Sequence, residues 1–495
     1  MKQRVIANPY LPMGTYIPDG EPHVFGNRVY IYGSHDAEGG QSFCMLPYEC
    51  WSAPVNDLTD WRCEGTIYEA SQDKDYSEKQ KYMYAPDCVK GADGRYYLYY
   101  AMSGDGCFTG PIHVAVCDTP AGKFEYYGAV QTADGEVLDR YITFDPAVFA
   151  DTDGKYFLYY GWSLEHAGAT GPVSQEQLLG AETMLFGKSA EHIMSHENPY
   201  MGANVVELEP DMLTVKGSIK RVIPGQFESY GTEFEGHAFF EASSMRKIGN
   251  KYYFIYSSQW QHELCYAVSD YPDKEFHYGG VIISNGDIGF GGRAPEDRIY
   301  VTGNNHGCLE QINGKWYVFY HRQTHKTTYS RQGCAEPVEI LADGSIPQVQ
   351  ITSCGLNGVA LPADRSYSAA ICCELTNGHM PHQGTEAITE SMPHIANDKE
   401  DRFISEISDG TRIGYRYFAF DGAAKVTLSI RGEATGCFDI LVDQKSQASI
   451  QVLNHTKDAE WIEYSVELGN VTGDHELTFV YRGDGQLQMK EISFE

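Results

Sequence analysis

Five segments of the chain carry one phrase: GNRVYIYGSHD (residues 26–36), DGRYYLYYAMS (93–103), DGKYFLYYGWS (153–163), GNKYYFIYSSQ (249–259) and NGKWYVFYHRQ (313–323). Each opens on a two-residue turn signal and runs on in aromatic and β-branched residues suited to a strand. Such a turn joins antiparallel strands, so another strand must precede each phrase. The phrases start 67, 60, 96 and 64 residues apart. That is too long for one hairpin and about right for a four-stranded sheet with its loops. The segments IHVAVCDTPAGKFEYYG (from Ile112) and LCYAVSDYPDKEFHYGG (from Leu264) resemble each other, and FCMLPYECWSAPVNDLTDWRCEG (from Phe43) is a longer version. They read as outer strands of the same unit. Five such units predict an all-β fold, a five-bladed β-propeller around a central channel. The long third spacing leaves room for an insertion with a helix around Leu178–Asn198.

The pattern changes near Leu361. Residues Thr376–Asp401 are rich in Gly, Pro, His and Glu, lack periodicity and read as a long loop. Seven short alternating segments follow: RIGYRYFAF, AKVTLSIRG, CFDILVDQ, ASIQVLN, WIEYSVEL, HELTFVYRG and LQMKEISFE. They predict a jelly-roll-like β-sandwich, with SYSAAICCEL (from Ser366) as its first strand. The expected organisation is a propeller over 1–360 and a sandwich over 361–495.

The 495 residues include 68 acidic and 37 basic side chains, a net charge of −31. That argues against nucleic acid or an anionic membrane surface as partner. No run of 18 apolar residues predicts a membrane span. The opening MKQRVIANPYLP lacks the apolar centre of a secretory leader. The 13 cysteines are scattered, without CxxC. Both features point to reduced thiols and a cytoplasmic protein. The 36 Tyr and 51 Gly suit a β-rich protein that handles sugars, although tyrosine also simply fills strands.

Six to eight positions before the turn phrases stand Asp19, Asp87, Asp145, Glu241 and His306. Each sits among Pro, Gly and aromatics rather than in a solvated charge run. One such residue alone reads as a strand-end cap. Five in register should converge on one mouth of the channel. Convergent carboxylates are the equipment of general acid and base chemistry. Glycoside hydrolysis by inversion needs a base to activate water and an acid to protonate the leaving oxygen.

At this point the sequence resembles family 43 of the glycoside hydrolases, over about residues 5–350. The resemblance rests on Asp19 ahead of GNRVYIYGS, on YAPD (Tyr84–Asp87), on FDPAVFADTDGKYFLYYG, on Glu241 before the fourth phrase, and on NNHGCLEQINGKWYVFYHR. It implies an inverting enzyme with Asp19 as general base, Asp145 as the group that tunes the acid's pKa and Glu241 as general acid. It gives Asp87 no catalytic part. It further implies His306 as the histidine that helps hold a central Ca2+, mostly through waters, and Arg322 facing the sugar. The acid motif here reads Glu241-Ala-Ser rather than Glu-Gly-Pro; Glu235 in EGH is the rival position. The opening looks most like the β-xylosidase and α-L-arabinofuranosidase branch. The implied substrate is a short xylo-oligosaccharide or arabinoxylan fragment, with an arabinan or galactan hydrolase and a non-catalytic sugar-binding propeller as alternatives. The phrases DGTRIGYRYFAFDGA, TKDAEW and TGDHELTFVYRG resemble a family 6 carbohydrate-binding module. Subunit contact, giving a homo-oligomer, is another use for that domain.

Three other signals are discounted. His192-Ile-Met-Ser-His196 has metal-ligand spacing but lacks the glutamate of a zinc protease. Asp151-Thr-Asp-Gly154 opens like an EF-hand loop but leads into a strand, so it reads as a hairpin turn. Trp162 and Trp260 are read as packing residues rather than sugar platforms.

Overall fold

The computed structural model describes residues 4–104, 110–164, 173–384, 386–398, 401–456 and 460–495. Blade I comprises β1 (Glu21–Phe25), β2 (Arg28–Tyr32), β3 (Tyr48–Pro54) and β4 (Arg62–Tyr68). Blade II comprises β5 (Tyr82–Lys90), β6 (Tyr96–Ser103), β7 (Ile112–Cys117) and β8 (Glu125–Ala129). Blade III comprises β9 (Ala147–Ala150), β10 (Tyr156–Trp162), β11 (Gly202–Leu208) and β12 (Val215–Pro224). Blade IV comprises β13 (Phe239–Ile248), β14 (Lys251–Ser258), β15 (Leu264–Ser269) and β16 (His277–Ile283). Blade V has three strands, β17 (Cys308–Ile312), β18 (Lys315–Gln323) and β19 (Arg331–Val338). All pair antiparallel in chain order. The first strand of each blade touches the first strands of both neighbouring blades, which closes the ring. The N-terminal segment runs beside β19: Tyr10 N–H donates to Gly333 O, and Asn8 bonds the backbone of Ala335 on both sides. The outer edge of blade V is thereby covered, as an open sheet edge must be.

The repeated phrase is the second strand of each blade. It is packed on both faces, and every residue of β6 is buried. A strand buried on both faces reads as a continuous apolar run rather than an alternation. The repeat also explains the tyrosines. Tyr32 of blade I donates to Pro120 O in the outer turn of blade II at 2.5 Å. Tyr99 of blade II donates to Met212 O in blade III at 2.6 Å. Tyr159 of blade III donates to Pro272 O in blade IV at 2.7 Å. All three stand at the seventh position of the phrase. A buried phenol needs a partner, and a carbonyl in a turn lacks one, so each pair ties two blades. The insertion in blade III is helical: α1 (Gln175–Phe186), opened by a Ser174–Gln177 capping box and closed at Gly187, then α2 (Ala190–Met194).

The C-terminal part forms one connected sheet of β20 (Leu361–Pro362), β21 (Ser366–Ser368), β22 (Glu374–Thr376), β23 (His394–Asp398), β24 (Asp401–Ile407), β25 (Arg412–Val442), β26 (Lys445–Thr456) and β27 (Ile462–Phe494). Two expectations need correction. The loop is shorter than 376–401, because its last part enters the sheet as β23. The seven short segments fuse into three long strands. The sequence breaks between them are glycines with positive φ, among them Gly422 (116°), Gly432 (130°), Gly473 (97°) and Gly483 (148°). Such glycines let a strand bend sharply without leaving its ladder. Residues 457–459 of the TKDAEW phrase, and Thr385 in the loop, lie outside the described residues.

The two parts share one core. Tyr253, Ile255 and Leu264 of blade IV and Val318 and Tyr320 of blade V belong to the same buried cluster as Ile371, Leu375, Tyr415 and Phe418. The C-terminal domain is therefore packed rigidly against blades IV and V.

Candidate active site

A cavity of about 320 Å³ opens where the inner strands begin. Asp19 and Asp145 lie just ahead of β1 and β9, Glu241 lies near the start of β13, and His306 precedes β17. All four line the cavity. Aromatic rings supply most of the remaining wall: Phe43, Tyr84, Phe144, Trp162, Phe240 and Tyr329. An apolar wall with a few convergent polar groups is the usual form of a small-ligand site.

The local backbone is unusual at positions that include both aspartates and the residue after Glu241. Asp19 (φ 56°), Asp145 (φ 46°) and Ala242 (φ 67°) are non-glycine residues in the left-handed region. Such a conformation costs on the order of 1–3 kcal/mol and gathers at functional sites. Around Glu241 the β13–β14 pairing is also irregular, with register shifts on both sides of it. A bulge there turns the side chain out of the ladder.

The electrostatics divide the carboxylates. Asp19 Oδ1 accepts from Arg331 Nη1 at 3.0 Å and lies 3.1 Å from His321 Nδ1. Burial raises its pKa, but Arg331 and then His321 outweigh that and hold Asp19 well below the usual carboxylate range. Arg331 is itself fixed by Asp36, through Nε to Oδ2 at 2.8 Å and Nη2 to Oδ1 at 3.1 Å. Asp145 goes the other way. Burial first, then the charge of Asp19, push it well above the usual range, against a hydrogen bond from Ala242 N–H at 3.2 Å. Of this pair, charge is favoured on Asp19 and disfavoured on Asp145. His306 Nδ1 is 3.7 Å from Asp145 Oδ2. Burial lowers the His306 pKa to about 4, so its ring is neutral at pH 7.

The chemistry such a site can perform is proton transfer on both sides of a bound polar ligand. The profile of the glycosyl hydrolases family 43 matches residues 15–197 and 184–346. The chain belongs to this family. Family 43 relatives include a xylosidase/arabinosidase of Thermoclostridium stercorarium, 41% identical over 99% of both chains. A β-xylosidase of Xylanibacter ruminicola is 29% identical over 69% of this chain and 99% of its own. Among solved structures, a β-xylosidase/α-arabinofuranosidase from a compost metagenome has a TM-score of 0.51 at 27% identity, covering 70% of this chain and 98% of that one. An arabinoxylan arabinofuranohydrolase of Bacillus subtilis shares the fold over 98% of this chain and 97% of its own, with a TM-score of 0.52 at 22% identity.

Against the family 43 pattern, one expected position is misplaced. Arg322 does not reach the cavity. It is fully buried on the far side of β18, where Nη1 donates to Cys372 O at 3.1 Å and the guanidinium lies 5.1 Å from the Tyr300 ring. It ties blade V to the C-terminal domain. The reason is strand alternation: His321 points to Asp19, so Arg322 must point away. The arginine at the cavity is Arg331, ten residues after His321 on the next strand. Asp87 also lies off the cavity. Its carboxylate bonds His23 Nε2 at 2.6 Å and Val148 N–H at 2.7 Å, linking blades I, II and III. Glu235 borders a different cleft, with Trp260.

Trp162 was read as packing and does pack, on Phe240 at 5.6 Å and Phe186 of α1 at 5.9 Å, but it also lines the cavity. His196 has both ring nitrogens engaged, by Tyr141 N–H and by α2 carbonyls, which leaves nothing for a metal. Asp151–Gly154 is the β9–β10 hairpin turn, with Asp151 holding Lys247.

Among the described residues, two groups of three side chains come close enough to share an ion, Glu21–His23–Asp87 and Asp73–Asp75–His113. Neither includes His306. In the first, Glu21 is already paired with Arg246 and Asp87 with His23 and two backbone amides. An ion at His306 would have one ring nitrogen as its direct ligand and water for the rest. A hard cation takes oxygen ligands, so nearly all of its shell there would have to be water.

Proposed function

We propose that this family 43 glycoside hydrolase releases β-D-xylose, and α-L-arabinofuranose as a second activity, from the ends of short oligosaccharides, with inversion. The observation that carries the reading is three carboxyl groups in one cavity, Asp19, Asp145 and Glu241, with Asp19 bonded to Arg331 and its pKa held low. The names of the relatives supply the sugars. A pocket of about 320 Å³ suits one sugar ring and exo attack better than an open groove does.

In the proposed mechanism Asp19 accepts a proton from a water on one face of the sugar, and Glu241 donates one to the leaving oxygen on the other. Asp145 is the group assigned to tuning the acid, and its bond from Ala242 N–H fixes the backbone directly after Glu241. The experiment is initial rates on aryl β-D-xyloside and aryl α-L-arabinofuranoside, side by side. Turnover of the xyloside at the greater rate supports the reading; silence on both from folded protein refutes it.

Arg331 gives a pH test. The base must be deprotonated, so the acid limb of kcat/KM follows Asp19. Lysine is a point charge and cannot hold Asp19 and Asp36 in one fork. Arg331→Lys is expected to raise the pKa of Asp19 and move the acid limb of the pH–rate profile to higher pH. A limb that stays in place contradicts the role of Arg331.

We also propose that His306 helps hold Ca2+, with one ring nitrogen as ligand and waters supplying the rest. The neutral ring offers a lone pair, and a solved relative was described in a calcium-free form. When bound, the ion would supply positive charge beneath the carboxylates. A chelator is then expected to lower the melting temperature, and added Ca2+ to restore it. Identical melts with and without chelator would remove the ion from the account.

The family 6-like reading of the C-terminal domain is supported by its sheet architecture. Its one prominent tryptophan is not an open platform: Arg431 and Lys490 lie over the Trp461 ring, at 4.3 and 5.0 Å.

A further inference from the structure

One wall of the catalytic cavity does not come from the propeller. Gln383 and Gly384 border it, and both lie in the loop between β22 and β23 of the C-terminal domain. The loop is fixed in place. Thr302 N–H donates to Pro381 O at 3.2 Å, and Gln383 N–H donates to Thr302 O at 2.7 Å. His382 Nδ1 lies 2.9 Å from Thr302 Oγ1. The His382 ring stacks on His262 at 5.0 Å, and His262 meets Phe240, the neighbour of Glu241, edge-on at 4.6 Å. Further out, Glu390 pairs with Lys326, Asn397 with His325 and Arg402 with Glu38. These partners are loops of blades V and I that surround the cavity. The C-terminal domain thus holds a wall of the pocket as firmly as a blade does.

Gln383 is 6% exposed. Its Nε2 donates to Lys326 O at 3.0 Å, which fixes the orientation of the carboxamide. Its Oε1 is buried without a hydrogen-bond partner. A buried acceptor left without a donor costs free energy that a ligand hydroxyl can recover. A sugar ring in this cavity carries such donors and little else.

We infer that Gln383 accepts a hydrogen bond from one hydroxyl of the sugar being released, so that the C-terminal domain takes part in sugar selection. The inference rests on the glycosidase reading above. A site built to bond a hydroxyl rejects the analogue that lacks it. The test therefore uses the full chain and aryl β-D-xyloside with its 2-, 3- and 4-deoxy analogues. Wild-type turnover of the parent glycoside is read first and decides the glycosidase reading alone. Gln383→Met, close in volume but without the acceptor, then decides the inference. In the wild type, one deoxy analogue should lose about tenfold or more in kcat/KM. Gln383→Met should lose about the same on the parent glycoside and nothing further on that analogue. A purely structural role would depress all four substrates equally. Equal losses on all four, or wild-type values throughout, overturn the assignment. Should Gln383→Met not fold, Gln383→Leu removes the acceptor with a smaller side chain. Lost discrimination among the four substrates supports the inference, and retained discrimination overturns it.

Discussion

Asp19→Asn is expected to lower kcat on aryl β-D-xyloside by roughly 10³-fold or more, the upper part of the range for general-base catalysis. The amide keeps the shape of the carboxylate but cannot take a proton. The fold should persist, because Arg331 retains its two bonds to Asp36. The melting temperature should therefore move far less than the rate. Azide offers a sharper check. It is an anion that attacks without losing a proton, so it bypasses the base. Azide should restore turnover of Asp19→Asn and yield a glycosyl azide with the anomeric centre inverted. Substantial turnover by Asp19→Asn without azide would remove Asp19 from the role of base.

Glu241→Gln is expected to show a loss that depends on the leaving group. Xylobiose has a poorly acidic alcohol as leaving group, and its cleavage needs the acid; a loss of roughly 10³-fold is expected. A dinitrophenyl xyloside leaves as a stable phenolate and needs little help, so its loss should stay within about tenfold. The two substrates place the effect on protonation rather than on folding or binding. Equal losses on both would mean that Glu241 holds the site together without donating a proton.

How far the sequence could be read follows from particular residues. The propeller was legible because each blade repeats one hairpin phrase, and the repeat has a physical cause in the blade-to-blade tyrosines Tyr32, Tyr99 and Tyr159. The four cavity residues Asp19, Asp145, Glu241 and His306 were legible because they keep a constant lead on that phrase. Arg322 was misread because proximity in sequence to the fifth phrase does not give the side of the strand. Its neighbour His321 shows which parity faces Asp19, and the same parity argument could have led across β18 to Arg331. Gln383 was beyond reach of any local reading. It stands in a loop without periodicity, 57 residues after its partner Lys326, and only the shared core of the two domains brings it to the cavity. The fusion of the seven C-terminal segments was hidden for a related reason: glycines that normally end a strand here bend one.

The measurement that tests the account most directly is the anomeric configuration of the first xylose released from aryl β-D-xyloside, followed by proton NMR before mutarotation. Asp19 acting as a base on water, opposite Glu241, predicts α-xylose as the first product. β-Xylose appearing first would mean retention through a covalent intermediate, and would contradict the assignment of Asp19 as a base.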